Sequence, residues 1–162
     1  MAYSNVGIGD YLNGIKAKPS YRPMESLTEF HHAFASDQVN GDFVDKLERR
    51  KELIREEYLE VMDAINLLER SDLGYTSYDP EEALVELAAE LADLLYVVYG
   101  TAEELSIPLQ EVFQEIHKAN MRKVWDDGTV HRNSYGKVIK PPGFVKADIR
   151  KVMYGSLEKS SE

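Results

Sequence analysis

A chain of 162 residues with 43% hydrophobic content suffices for one ordinary globular domain with its own core. Its formal net charge of −10 argues against general nucleic-acid binding, because a polyanion would be repelled over most of the surface. With no cysteine there is no disulfide framework, thiolate metal site or thiol nucleophile, and a reducing compartment is expected: the cytoplasm, or a host cytoplasm for a viral protein. No uncharged apolar run approaches the roughly 20 residues that span a bilayer, and the start lacks a basic segment followed by an apolar one. Neither a membrane partner nor export is expected.

In chain order, residues 1–23 hold Gly7, Gly9, Gly14, Pro19 and Pro23 among scattered tyrosines, the composition of an irregular N-terminal arm. A short first helix is predicted over about 24–35, where His31 and His32 read as structural or surface residues, and Asn40-Gly41 breaks it. The second and longest helix is predicted over about 43–70. Leu47, Ile54, Val61, Ala64 and Leu68 recur there at helical spacing, and Leu73-Gly74 marks the stop. The third opens on Asp79 as N-cap, Pro80 at the first helical position and Glu82 where it would complete a capping box. Leu84, Leu87, Leu91, Leu94 and Val98 carry it on, and Gly100-Thr101 loosens its last turns. Ser106 followed by Pro108 starts a fourth helix, whose Leu109, Val112, Phe113 and Ile116 form one face, up to about residue 124. Beyond Trp125 the turn pairs Asp127-Gly128, Tyr135-Gly136 and Pro142-Gly143 make an irregular C-terminal loop. Residues 24–150 are thus expected to form one domain and 151–162 a flexible tail. The fold class is all-α, a four-helix bundle.

Charge divides along this chain. Between Arg70 and Lys118 there are eleven carboxylates and no Lys or Arg, whereas from Lys118 to Lys151 there are nine basic residues and three acids. Helical spacing puts Glu56, Glu57 and Glu60 together on the second helix, and Glu86, Glu90 and Asp93 together on the third. In the apolar row Ile54, Glu57, Val61, Ala64, Leu68 the acid takes a seam position, and Glu90 does the same in Ala83, Leu87, Glu90, Leu94, Val97. Burying an ionised carboxylate without a partner is costly. Arg55 is on hand for the second helix, but the third has no basic residue of its own. A divalent cation would compensate both clusters, and magnesium, a hard ion preferring oxygen donors, suits carboxylates completed by water and phosphate. Two solvated acidic faces would give the same composition. A di-iron bundle is disfavoured, since it needs two Glu-x-x-His motifs and the one present is Glu29-Phe30-His31-His32.

The segments Glu56-Glu57-Tyr58-Leu59-Glu60 and Glu90-Leu91-Ala92-Asp93, with Asn120-Met121-Arg122-Lys123 after them, resemble the MazG-like all-α NTP pyrophosphohydrolases, including phosphoribosyl-ATP pyrophosphohydrolase-like and phage-type members. The family hallmark, Glu-x-x-Glu and then Glu-x-x-Asp, falls at Glu57/Glu60 and Glu90/Asp93. Residues 137–141, with Lys137, Lys140 and Pro141, resemble a basic loop of such proteins, and the likeness extends over about 27–149. Arg122 stands where a small residue is common, and residues 36–42 look like an insertion.

The resemblance implies hydrolysis of a (d)NTP to (d)NMP and pyrophosphate. Magnesium, or manganese in its place, would be held by Glu57, Glu60, Glu90 and Asp93. Glu56 would orient the attacking water or bind a further ion. Lys123, Lys137 and Lys140 would contact phosphates, Asn120 sugar or base, and Tyr96, one turn beyond Asp93, would line the pocket. Trp125 and the other tyrosines read as core and interface. A homodimer or homotetramer is expected, with the helices packed against a second protomer. A non-catalytic nucleotide sensor and a helical interaction module are the alternatives. The preferred base and sugar do not follow from the sequence.

Overall fold

The computed structural model describes residues 42–155. The predicted arm and the helix at 24–35 lie outside the described residues. Those described are all-helical, with four helices and no strand: α1 (Phe43–Asp72), α2 (Pro80–Glu104), α3 (Leu109–Met121) and α4 (Ile149–Tyr154). The first three answer to the second, third and fourth predicted helices. They fall into two compact units divided between Thr101 and Ala102. No helix among the described residues is long and apolar enough to cross a membrane.

In the first unit α1 is fixed at both ends by side-chain and backbone chemistry. Asp42, at the end of the insertion-like segment 36–42, is its N-cap. The Asp42 carboxylate accepts from the N–H groups of Val44 and Asp45 at 2.8 and 3.0 Å, and Asp45 accepts from the Asp42 N–H at 3.1 Å. This reciprocal box satisfies donors that the first turn otherwise leaves open. At the other end Gly74, at φ +71, takes the left-handed conformation. Its N–H reaches the Ser71 carbonyl at 3.1 Å while that of Tyr75 reaches Arg70 at 2.8 Å, the Schellman pattern for which glycine is favoured. Asp79 caps α2 as predicted, accepting from the N–H of Glu81 at 2.8 Å and of Glu82 at 3.4 Å. Among the described residues no bond returns from the Glu82 side chain, so the predicted box is half formed. Val61, Ala64 and Ala83 are buried. Ile54 and Leu68 on α1, with Leu87, Leu94 and Val97 on α2, are half-buried, so the buried side of each helix is the predicted apolar row.

In the second unit Ser106 corrects the sequence reading. It does not start the next helix but ends α2. At φ +54 it stands where a glycine would be favoured, and its N–H bonds the Glu103 carbonyl while that of Ile107 bonds Ala102. α3 then starts at Leu109, after Pro108 as an N-cap without a side-chain bond, and stops at Met121, short of the predicted 124, because tighter turn bonds from Lys123 to Asn120 and from Val124 to Met121 replace the helical ladder. α4 packs on α3 and is held there by Arg122. Its guanidinium donates to Glu115 at 3.2 Å and to the carbonyls of Val145 and Lys146 at 3.1 and 3.4 Å. The sequence reading missed α4, which is too short to show an apolar period. Asp148 caps it, accepting from the Lys151 N–H at 3.0 Å.

Candidate metal centre

Helical phase alone places Glu57 beside Val61 and Ala64 on the buried side of α1, and Glu90 between Leu87 and Leu94 on α2. Both are half-buried, whereas Glu56, Glu60 and Asp93 are exposed. Where the two helices meet, carboxylate oxygens of Glu57, Glu90 and Asp93 lie within 4.8 Å of one another. Glu60 is within hydrogen-bonding reach of both Glu57 and Glu90, and Glu56 adds its charge beside Glu57. All five predicted carboxylates are therefore in one electrostatic group, with three of them in the geometric centre.

Nothing basic offsets them among the described contacts. Arg55, the cation on hand in the sequence, turns instead to Glu52 at 3.2 Å. The proton affinities carry the cost. Burial, and then the charges of Glu60, Asp93 and Glu56, raise Glu57 above its ordinary carboxylate value. Burial followed by Glu60, Asp93 and Glu86 raises Glu90 in the same direction. A group of oxygen donors that resist being charged together is the chemistry a hard divalent cation relieves, since the ion's charge inverts the local repulsion. The residues present therefore fit magnesium or manganese.

The neighbours of the cluster are less tied to it. Tyr96, one turn past Asp93, is exposed. Glu86, which shares the helical face of Glu90, accepts a short hydrogen bond from the Tyr78 hydroxyl, a pairing the sequence reading did not draw. That bond and the Glu86 charge hold the Tyr78 phenol above its usual range.

The other predicted site residues lie in the second unit. Asn120 and Lys123 are paired, the ammonium donating to Asn120 Oδ1 at 2.6 Å. Lys137 and Lys140 are exposed on the loop beyond Trp125, and the Lys140 ammonium sits 5.0 Å from the centre of the Phe144 ring. One constellation in this loop was not read from the sequence. His131 Nε2 donates to Asp127 at 2.7 Å and its ring stacks on Trp125 at 4.1 Å, while Thr129 donates to Asp127 from both N–H and hydroxyl at 2.8 Å. The bonds from His131 and Thr129 hold the Asp127 carboxyl down at about 2. An Asp-Gly-Thr turn with His four residues after the Asp is the signal that could have pointed to it. Trp125 Nε1 donates across the loop to the Ile139 carbonyl at 3.1 Å, so the constellation closes the loop upon itself.

Comparison with known proteins bears on the first unit most directly. The sequence profile described as Phosphoribosyl-ATP pyrophosphohydrolase matches residues 25–120, more than half of the chain, and takes in all five carboxylates. It ends short of Lys123, Lys137 and Lys140. No curated protein matches the chain. The chain belongs to the phosphoribosyl-ATP pyrophosphohydrolase family, one of the MazG-like all-α families, whose members hydrolyse pyrophosphate linkages in nucleotides.

Proposed function

We propose that this protein is a magnesium-dependent nucleoside triphosphate pyrophosphohydrolase, converting a (d)NTP and water into (d)NMP and pyrophosphate. The observation that carries the reading is the convergence of Glu57, Glu90 and Asp93 within 4.8 Å, with no basic partner among the described residues, inside the family-matched span. Glu57, Glu60, Glu90 and Asp93 would hold the ion. When bound, a divalent cation supplies charge neutralisation at the phosphates and acidifies a water. Glu56, exposed and next to the cluster, positions the attacking water and takes its proton as the new bond forms at the α-phosphorus. The bond from that phosphorus to the bridging oxygen breaks, and pyrophosphate leaves. Lys123, Lys137 and Lys140 are assigned to phosphate contact, Asn120 to sugar or base, and Tyr96 to the pocket wall, by family resemblance alone.

We further propose a homodimer or homotetramer. Tyr58, Met62 and Ile65 form an exposed apolar stripe on α1, and Val85, Leu91 and Leu95 are exposed on α2. Apolar surface of this extent on long helices is the kind that a partner covers. The cytoplasm, where nucleotide pools lie, is the proposed compartment.

Incubation with a panel of ribo- and deoxyribonucleoside triphosphates and magnesium, resolved by chromatography, tests the activity. At least one triphosphate should yield monophosphate and pyrophosphate in equal amounts. Intact nucleotide across the panel would contradict the enzyme reading, and binding without turnover would assign a sensor instead.

A further inference from the structure

Residues 73–79 join α1 to α2 within the first unit and bring one side chain back onto α2. Gly74 fixes the first end of this loop and Asp79 the second, and between them the Tyr78 N–H donates to Thr76 Oγ1 at 3.3 Å. The Tyr78 hydroxyl donates to Glu86 Oε1. Glu82, Glu86 and Glu90 follow one another at i, i+4 along one row of α2. The phenol lies along that row, since the charges of both Glu86 and Glu82 bear on it. Glu86 in turn stands one helical turn before Glu90, and its charge is among those felt there. It is not one of the carboxylates whose oxygens converge within 4.8 Å.

A simple tie between loop and helix would use the same bond. Both partners are exposed, however, and a hydrogen bond between exposed side chains adds little to stability. Against that small gain, the bond keeps a carboxylate one turn from Glu90, where like charges repel. An unrestrained Glu86 would relieve the repulsion by turning into solvent. Fixing it is unfavourable for the metal-free fold and favourable for a cation, which is attracted by each anion held near it. Magnesium also keeps several of its waters, and groups outside the ligand set accept hydrogen bonds from such waters.

We propose that Tyr78 and Glu86 are positioning residues of the metal centre. Tyr78 holds the Glu86 carboxylate beside Glu90, and Glu86 raises the affinity of the centre for a divalent cation through its charge, without ligating the ion. This role rests on the cation reading above and adds to it two residues outside the Glu-x-x-Glu and Glu-x-x-Asp pairs.

Manganese binding to the metal-free protein, followed by electron paramagnetic resonance of the free ion, tests it beside thermal melting. The manganese dissociation constant should rise about tenfold in both Y78F and E86Q, while the metal-free Tm of E86Q stays level or rises. Because Tyr78 acts through Glu86, the double variant should bind no more weakly than E86Q. An unchanged dissociation constant in either single variant would overturn the proposal, and a lowered metal-free Tm in Y78F alongside it would give the bond to loop anchoring alone. Additive losses in the double variant, or a lowered metal-free Tm for E86Q, would also overturn it. So would a loss in E86Q as large as that in E57Q, which makes Glu86 a ligand. A chain that binds manganese with the expected pattern yet hydrolyses no nucleotide would sink the proposed activity and leave the positioning role standing. A wild type that binds no manganese would sink both.

Discussion

The two units of this protein treat their carboxylates in opposite ways. In the first, Glu57 and Glu90 are half-buried among other acids, and burial and mutual repulsion raise both above the ordinary carboxylate range. In the second, hydrogen bonds from Arg122 lower Glu115, and those from His131 and Thr129 lower Asp127. The second arrangement is complete as it stands, with Arg122 tying a loop to α3 and Asp127 closing its loop upon itself. The first is incomplete, and a group of acids left to repel one another at a helix seam is better explained by what it binds than by what it stabilises. Substitutions that neutralise a carboxylate should therefore have opposite effects in the two units.

The largest expected effect is on turnover. Glu57→Gln and Asp93→Asn should each fold, by circular dichroism, and lose activity on the order of a hundredfold or more. Without metal, E57Q should melt above the wild type because it removes a repelled charge. Full activity in either variant would take that residue out of the centre, and a lowered metal-free Tm for E57Q would break the contrast between the units. Next in size, Arg122→Ala should lower the Tm by roughly 4–6 °C, since Glu115 and the carbonyls of Val145 and Lys146 lose their shared donor. Thermal melting checks this, and an unchanged Tm would mean that α4 is held on α3 by packing alone. Ser106→Gly should raise the Tm by roughly 2–4 °C, because it relieves a left-handed residue costing about 1 kcal/mol.

The smallest effect separates the units by pH. Asp127 binds its proton less tightly in the folded chain than in the unfolded one. Its stabilising contribution is therefore complete above the unfolded value of 3.8 and is lost as pH falls toward about 2. For Glu57 and Glu90 the folded chain binds the proton more tightly than the ordinary 4.5. Their effect runs the other way, with metal-free stability rising as pH falls from above that value toward it. Melting curves of D127N and E57Q, taken against pH with chelator present, should weaken the low-pH and the higher-pH dependence respectively, since Glu115 and Glu90 keep their own shifts. Identical profiles in the two variants would contradict the opposed shifts.

How much of this was legible in the sequence follows the same division. The carboxylate centre was legible because a helix fixes side-chain direction by counting. Glu57 and Glu90 occupy apolar phases, and Ile54, Val61, Ala83 and Leu94 revealed those phases. Asp79 and Gly74 marked helix ends through chemistry that acts within a few residues. Ser106 misled because serine is a common helix starter, and the positive φ that makes it a stop is set by the chain geometry after α2. The hydrogen bonds of Arg122 to Val145 and Lys146 cross more than twenty residues, a separation that carries no periodic signal. The loop residues Asp127, His131 and Tyr135 are positioned by turns, where each side chain's direction depends on the backbone of its neighbours. The exposure of Tyr135, read from the sequence with the core and interface tyrosines, could not be counted from its position.

The central claim is that the carboxylates of α1 and α2 hold a divalent cation. Melting of the metal-free wild type against increasing magnesium, beside E57Q and D93N, tests it without requiring turnover or a known substrate. A saturating rise in Tm is predicted for the wild type, corresponding to about 2.7 kcal/mol at a hundred times the dissociation constant, with the rise lost or greatly weakened in both variants. A wild-type Tm indifferent to magnesium and manganese, or an equal rise in all three proteins, would contradict it.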